Sequence, residues 1–280
     1  MEGKEDLIKH LAIPMPKGKI ILQHAIVEDP NLGVRKSMED FTIAEPDVLS
    51  DDRFSFYCIL DGHGGSAVAE FVKKNYVNTL KTKLKLYKEG HKIQDFIESS
   101  IDAIEEKMNE IDGRDCGSTF CGVLIDKVDK KIYYINIGDS QVLAVRFDSK
   151  DNLHADFKCS MHKVSNPDEE ARIKKANGSI INGRLAGNLL ISRALGDIDL
   201  REYGLISTPE IKESELFKNK LAIIASDGVW DVISREDIVK MIKANGKHSL
   251  EDLAKAISKE AVDKGSMDNI SVIVLKMSFK

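Results

Sequence analysis

Strand-forming and helix-forming stretches arrive in blocks along this chain, not singly in alternation, and that grouping limits the fold more than any other feature. Three runs rich in β-branched and aromatic residues come first, at 19–27, 41–44 and 54–60. Two helices follow. One starts near Ser66, and the other carries Ile93, Phe96, Ile97, Ile101, Ile104, Met108 and Ile111, whose steps of three and four lay down one apolar face. That stripe reads as core packing. Three further strand-like runs, 118–125, 131–137 and 141–147, are joined by short polar turns that suit an antiparallel meander. An irregular stretch over 158–199 contains one short helix after Pro167. Strands return at 221–225 and 270–275, enclosing a second pair of helices. Ser234 with Asp237 and Ser249 with Asp252 have capping-box spacing, and Gly265 stands where a helix would end.

Helices that arrive in pairs between runs of strands predict an α+β architecture: a central sandwich of two antiparallel β-sheets flanked by pairs of α-helices, layered α-β-β-α. A doubly wound parallel sheet would need single helices between strands. With 280 residues, 42% of them hydrophobic, the chain can bury a large core. No repeat or Pro/Ser-rich linker divides it, so the expectation is a single domain over 19–280 after a short extension over 1–18, where Pro14, Pro16 and Gly18 act as breakers.

The formal net charge of -5 comes from 41 basic and 46 acidic residues spread along the chain, which provides no field for nucleic acid or an anionic membrane surface. The first nine residues are charged and lack the apolar stretch of a secretory signal, and no run approaches the roughly 20 apolar residues of a membrane span. Glu2 excludes N-myristoylation. Cys58, Cys116, Cys121 and Cys159 show no C-x-x-C spacing and read as reduced, buried thiols of a cytoplasmic or nuclear protein.

Four aspartates occupy one kind of position. Asp61 follows the run 54–60, Asp139 follows 131–137, Asp227 follows 221–225, and Asp268 precedes 270–275. Three have an adjacent glycine, in Asp61-Gly62, Gly138-Asp139 and Asp227-Gly228, which lets carboxylates and backbone carbonyls crowd around an ion. One Asp-Gly alone would read as a hairpin turn. Carboxylates with a backbone carbonyl suit hard cations such as Mg2+ or Mn2+, whereas zinc would ask for His and Cys.

Seven segments stand in a definite order: Gly33-Val-Arg35-Lys-Ser-Met38-Glu39-Asp40, Asp61-Gly-His63-Gly-Gly65, Gly117-Ser-Thr119, Gly138-Asp-Ser140, Ser192-Arg-Ala-Leu-Gly-Asp197, Ser226-Asp-Gly-Val-Trp-Asp231 and Gly265-Ser-Met-Asp-Asn269. This series resembles the motif series of the protein phosphatase 2C family, over residues 20–277. The resemblance implies a monomeric, metal-dependent protein serine/threonine phosphatase acting on phosphorylated proteins. It implies that Asp61 bridges two tightly held ions, with the carbonyl of Gly62 on one and Asp227 and Asp268 completing the other. Glu39 would act through water, with Asp40 behind it. Asp139 and Asp231, sharing Asp227, would form a weaker third site. Arg35 would grip the phosphate, Arg184 would touch substrate, and His63 would be the general acid.

Phosphomonoester hydrolysis needs a nucleophile, charge neutralisation on the phosphoryl oxygens and a proton for the leaving alkoxide. Water between two cations, a guanidinium fork and an imidazole provide these without a phosphoenzyme. Departures from the family pattern are Gln141 and Met267, where basic residues are usual, Met161 and Val164, where aspartate and proline are usual at the start of a flap-like insertion, and Leu190-Ile191, which reads as a repacked strand. A catalytically silent scaffold of the same fold would lose metal acids or the arginine, and all are retained here. A kinase or P-loop hydrolase is not supported, since the segments those enzymes need are missing. Asp197-Ile-Asp199 has only a faint likeness to an aspartyl-phosphate motif. Trp230 reads as a core anchor.

Overall fold

All seven residues of the strand Phe54–Leu60 are buried, and their alternation separates two interiors. Phe54, Phe56, Cys58 and Leu60 join one apolar cluster, while Tyr57 and Ile59 join another. The computed structural model describes residues 18–280 apart from 89, 112, 148–151, 217–219 and 246–247, so the extension expected over 1–18 lies outside the described residues except for Gly18.

Two five-stranded antiparallel sheets face each other. One runs in the order Glu210–Glu215, Lys131–Ile137, Phe120–Asp126, Phe54–Leu60, Phe41–Glu45. The other runs Ile20–Asp29, Ile270–Phe279, Lys220–Ala225, Gln141–Phe147, Leu153–Phe157. Tyr57, Ile59, Val123 and Tyr134 of the first meet Val142, Ile224, Ile273 and Leu275 of the second. The outer face of the first is covered by helices Ala67–Leu84 and Ile93–Glu105, through Val72, Tyr76, Ile97 and Ile101. Helices Arg235–Asn245 and Leu250–Asp263 cover the second, through Ile238, Leu253 and Ile257. This is the expected α-β-β-α layering.

Local chemistry explains the helix limits. Ser249 and Asp252 form a reciprocal capping box, and the Asp237 N–H donates to Ser234 Oγ at 3.1 Å. Gly265, just past the last helix, has a φ of +84°, where a side chain would be strained. The second helix ends sooner than its apolar stripe, and Met108 lies in a separate short turn, Met108–Glu110.

The three runs from 118 to 147 do not form a meander. Phe120–Asp126 and Lys131–Ile137 pair as expected, but Gln141–Phe147 belongs to the opposite sheet. Gly138, with φ +104°, begins the passage from one sheet to the other. The free edge of Lys131–Ile137 is taken instead by Glu210–Glu215, whose charges hid it from periodicity. Leu153–Phe157, an edge strand of the other sheet, was also missed, although its sequence LHADF alternates apolar and polar residues.

The insertion over 158–199 closes around a small apolar cluster of Val164, Ile173, Leu185, Ile191, Ala194 and Leu205. Its helix, Pro167–Lys175, is capped by Asn166, whose side chain accepts from the Asp168 N–H. The Val164 N–H donates to the Leu190 carbonyl at 2.7 Å, a bond that proline could not make. Leu190 and Ile191 do not form a repacked strand: Ile191 makes an isolated bridge to Lys163, and Leu190 is exposed. No described helix is long and apolar enough to cross a membrane, and all four cysteines are free and buried.

Candidate metal centre

Strand ends from both sheets deliver acids to one place. Carboxylate oxygens of Asp61, Asp139 and Asp227 all lie within 4.8 Å of one another. The passage of the chain between sheets puts Asp139 there, because Ile137 ends one sheet's strand and Gln141 begins the other's. The Asp61 backbone is held at Thr119, donating to its Oγ1 at 3.1 Å and accepting from its N–H at 2.9 Å. Two glycines permit the crowding. A Cβ on Gly62 would sit 2.4 Å from the Glu39 carbonyl oxygen, and one on Gly228 would sit 2.0 Å from that of Asn269.

Those contacts draw in the first and last motifs. Glu39 donates its N–H to Asn269 Oδ1 at 2.9 Å, and its carboxylate accepts from Ser37 Oγ at 2.9 Å and the Gly65 N–H at 3.2 Å. Arg35 pairs through Nη2 with Asp268 and donates through Nε to the Met267 carbonyl at 3.0 Å. Arg35, Glu39, Asp61, Gly62, His63, Asp139, Arg184, Asp227 and Asp268 line one cavity of about 310 Å³. Arg184 is exposed at its edge and donates to the Asn188 carbonyl at 2.7 Å. Asp40 is buried behind, and Asp231 is exposed to one side, with Lys163 between it and Asp139.

The electrostatics fit divalent cations. Burial pushes the Asp61 carboxyl well above its usual range, and Asp40, Asp227 and Asp139 add to the effect. Burial, then Asp139 and Asp268, push Asp227 up to about 7; Asp40, also through burial, is pushed up to about 7. Burial raises Asp139 as well, with Lys163 opposing. Asp227 Oδ1 and Asp40 Oδ2 are buried with no hydrogen-bond partner among the described residues. Such oxygens repel one another until a cation stands between them. The donors at the centre are all oxygens, as Mg2+ or Mn2+ prefer.

His63 faces the cavity from a short ribbon. Gly62–His63 pairs with Gly117–Ser118, which pairs in turn with Leu195–Gly196. His63 Nε2 lies 2.6 Å from Asp197 Oδ2. Burial works against the imidazolium, but the hydrogen bond and charge of Asp197 outweigh it and hold the pKa above the usual value. Asp197 is buried, has a left-handed φ of +46°, and is tied by its N–H to the Cys116 carbonyl at 2.9 Å. The likeness of Asp197-Ile-Asp199 to an aspartyl-phosphate motif is therefore without structural counterpart, and Asp199 pairs with Arg114 at 3.2 Å. Sequence reasoning missed the role of Asp197, although Gly196-Asp197 repeats the glycine–aspartate signal of Gly138-Asp139. It also missed Lys163.

Among the departures, Gln141 is buried and donates to the Cys159 carbonyl at 3.3 Å, away from the cavity lining. Met267 is exposed beside Asp268. Trp230 is a core anchor, with Nε1 donating to the Ala225 carbonyl at 2.7 Å.

A family profile described as protein phosphatase 2C matches residues 26–270. The chain belongs to the protein phosphatase 2C family. Among curated relatives, the "Probable protein phosphatase 2C 59" of Oryza sativa subsp. japonica is 34% identical over 248 residues, covering 87% of this chain and 73% of the relative. The protein of the same name from Arabidopsis thaliana is 33% identical over 258 residues, covering 87% and 76%. The fold of this phosphatase 2C chain is also that of the serine-threonine phosphatase 2C from Toxoplasma gondii, with a TM-score of 0.76, 21% identity and coverage of 92% and 95%.

Proposed function

We propose that this phosphatase 2C chain hydrolyses phosphoserine and phosphothreonine in proteins at a divalent-metal centre of Mg2+ or Mn2+, with two ions held tightly and a third more weakly. The observation that carries this reading is the convergence of three acid oxygens within 4.8 Å in a cavity shared with Arg35 and His63. Asp61, the Gly62 carbonyl, Asp227 and Asp268 would hold the two tight ions, Asp139 and Asp231 would contribute to the weaker one, and Glu39 and Asp40 would hold water beside them. Cations bound there would lower the pKa of water toward neutrality and offset charge on the phosphoryl oxygens.

The remaining steps belong to the chain's own side chains. Arg35, on the cavity wall and paired with Asp268, would offer its fork to the phosphate oxygens. His63, oriented by Asp197, whose hydrogen bond and charge hold its pKa above the usual value, delivers its proton to the departing seryl or threonyl oxygen. Arg184 sits at the rim where a substrate peptide enters. Thiolate chemistry finds no support, because burial pushes up every cysteine, Cys159 to about 12. A silent scaffold is disfavoured because Arg35, Asp61, Asp227 and Asp268 all reach the one cavity.

Purified protein should release phosphate from a phosphothreonine peptide only with Mg2+ or Mn2+ added, and a chelator should stop it. Full turnover in a metal-stripped preparation would refute the reading.

A further inference from the structure

One basic side chain reaches the acids from the inserted segment. Lys163 Nζ lies 3.5 Å from Asp139 Oδ2 and 3.2 Å from Asp231 Oδ1. Asp227, by contrast, has a buried Oδ1 with no hydrogen-bond partner among the described residues. The Asp139–Asp231 pair already holds a cation, and it is the chain's own ammonium.

The backbone on either side of Lys163 is fixed. The His162 N–H donates to the Gly138 carbonyl at 2.9 Å, next to Asp139, and the Val164 N–H donates to the Leu190 carbonyl at 2.7 Å. Lys163 itself bridges to Ile191. The same segment places Asn188, Leu189, Leu190 and Ile191 on the cavity wall. The ammonium rides on a flexible four-carbon stem, and the side chain is about a quarter exposed, at 27%, so it can leave the acids without moving the backbone. An ammonium and a divalent cation cannot both occupy the space between two carboxylates at these distances.

We infer that Lys163 is a built-in counter-ion of Asp139 and Asp231, and that a divalent cation binds between these acids only by displacing it. The inference rests on the metal-centre reading above and adds to it a cause for weak binding. The third position is weak because an internal competitor fills it, not because its ligands are poor. Lys163 is thus a positioning residue: it couples filling of that position to release of its own side chain at the base of the segment that walls the cavity.

The test reads binding, not turnover. Mn2+ is titrated by calorimetry into the whole chain, its Lys163→Gln variant and its Lys163→Arg variant. The two tight sites should be unchanged in all three. The weak site should tighten by about tenfold or more in Lys163→Gln, as expected when a competing charge pair of this separation is removed, and should stay weak in Lys163→Arg. An unchanged or weaker third site in Lys163→Gln, or equal tightening in Lys163→Arg, overturns the inference, as does the lack of any third site in all three. A second measurement needs no variant. Reductive methylation of wild-type protein, mapped by mass spectrometry, should label Lys163 faster at Mn2+ concentrations that fill the weak site than at those filling only the tight ones. Equal labelling overturns the inference. Failure to bind any Mn2+ would instead sink the metal-centre reading, so the two failures are distinguishable.

Discussion

Gly117→Ala adds one methyl group at the point where His63 and Asp197 meet. Its Cβ would lie 2.1 Å from Asp197 Oδ2, 2.6 Å from Asp197 Cγ and 2.6 Å from His63 Nε2. Van der Waals contact needs more than about 3.4 Å, so one partner must give way. Asp197 cannot, because it is buried and its backbone N–H is tied to Cys116. His63 is the more exposed partner, with 27% of its side chain accessible against 4% for Asp197, so the imidazole is expelled from its 2.6 Å hydrogen bond. The ribbon that presents it remains paired through Gly62–His63 and Gly117–Ser118, which leaves Asp61 and its neighbours in place. A correctly placed general acid is worth roughly 10²–10⁴-fold. That benefit scales with leaving-group basicity, which is high for a threonyl alkoxide and low for nitrophenolate. The variant should therefore lose about 10²-fold or more in kcat/KM on a phosphothreonine peptide, while losing less than about tenfold on 4-nitrophenyl phosphate. Calorimetric Mn2+ affinity and circular dichroism should be unchanged. Adding Asp197→Asn to Gly117→Ala should cost little more, because both break the same contact. Equal losses on the two substrates, with the chemical step shown to limit both, would refute the reasoning.

Other perturbations probe different parts of the molecule. Asp227→Asn removes one of the mutually repelling carboxylates, so chemical denaturation with chelator present should show the variant as stable as the wild type or more so, while the stabilisation that Mn2+ confers on the wild type should disappear. Val164→Pro deletes the 2.7 Å bond to the Leu190 carbonyl and should cost about 1 kcal/mol or more, seen as faster limited proteolysis within 158–199. Glu169 is buried, which alone would raise its pKa, but Arg193, Ser192 and Arg172 bring it down to about 2. A carboxyl depressed in the folded state stabilises above its unfolded value of about 4.3 and loses that contribution as pH falls toward 2, so Glu169→Gln should cost on the order of 3 kcal/mol at pH 7 and progressively less below pH 4. Urea midpoints measured across that range check it.

How far the fold could be read from the chain depended on where each strand sits. Phe54–Leu60, Lys131–Ile137 and Gln141–Phe147 were legible to the residue because they are interior strands, apolar on both faces. That same property hid the sheet to which Gln141–Phe147 belongs, since a strand apolar on both faces fits either. Of the edge strands, Ile20–Asp29 and Phe41–Glu45 were legible, but Glu210–Glu215 failed for the opposite reason: it carries four charges in six residues, read as EIKESE, and its pairing with Lys131–Ile137 comes from tertiary packing. In the site, Asp61, Asp139, Asp227 and Asp268 could be picked out by their position at strand ends, yet their convergence depends on sheet pairing and on the crossing at Gly138. Asp197 needed a left-handed backbone and a missing Cβ at Gly117, and Lys163 needed the reach of one side chain from the insertion. Neither leaves a periodic trace.

The sandwich explains why the acids gather where they do. A carboxylate inside either sheet would cost more than the sheet could offset, whereas at a strand end the backbone is already leaving its ladder and can turn a side chain outward. Facing sheets bring several such ends together, and glycine at Gly62 and Gly228 removes the spacing that Cβ atoms would enforce. The repulsion that results, visible in the raised carboxyls of Asp61, Asp139 and Asp227, is held in place by strands that are buried from Phe54 to Leu60 and from Ile270 to Leu275. The core thus sustains a site that is unfavourable on its own, which is the condition for strong cation binding: carboxylates already gathered and desolvated need little further ordering when the ion arrives. Arg35 and Lys163 occupy the flanks of that arrangement, each paired with an acid that a cation would claim. On the proposed reading, a cation that took Asp268 would leave the guanidinium of Arg35, which lines the cavity, free for an incoming phosphate.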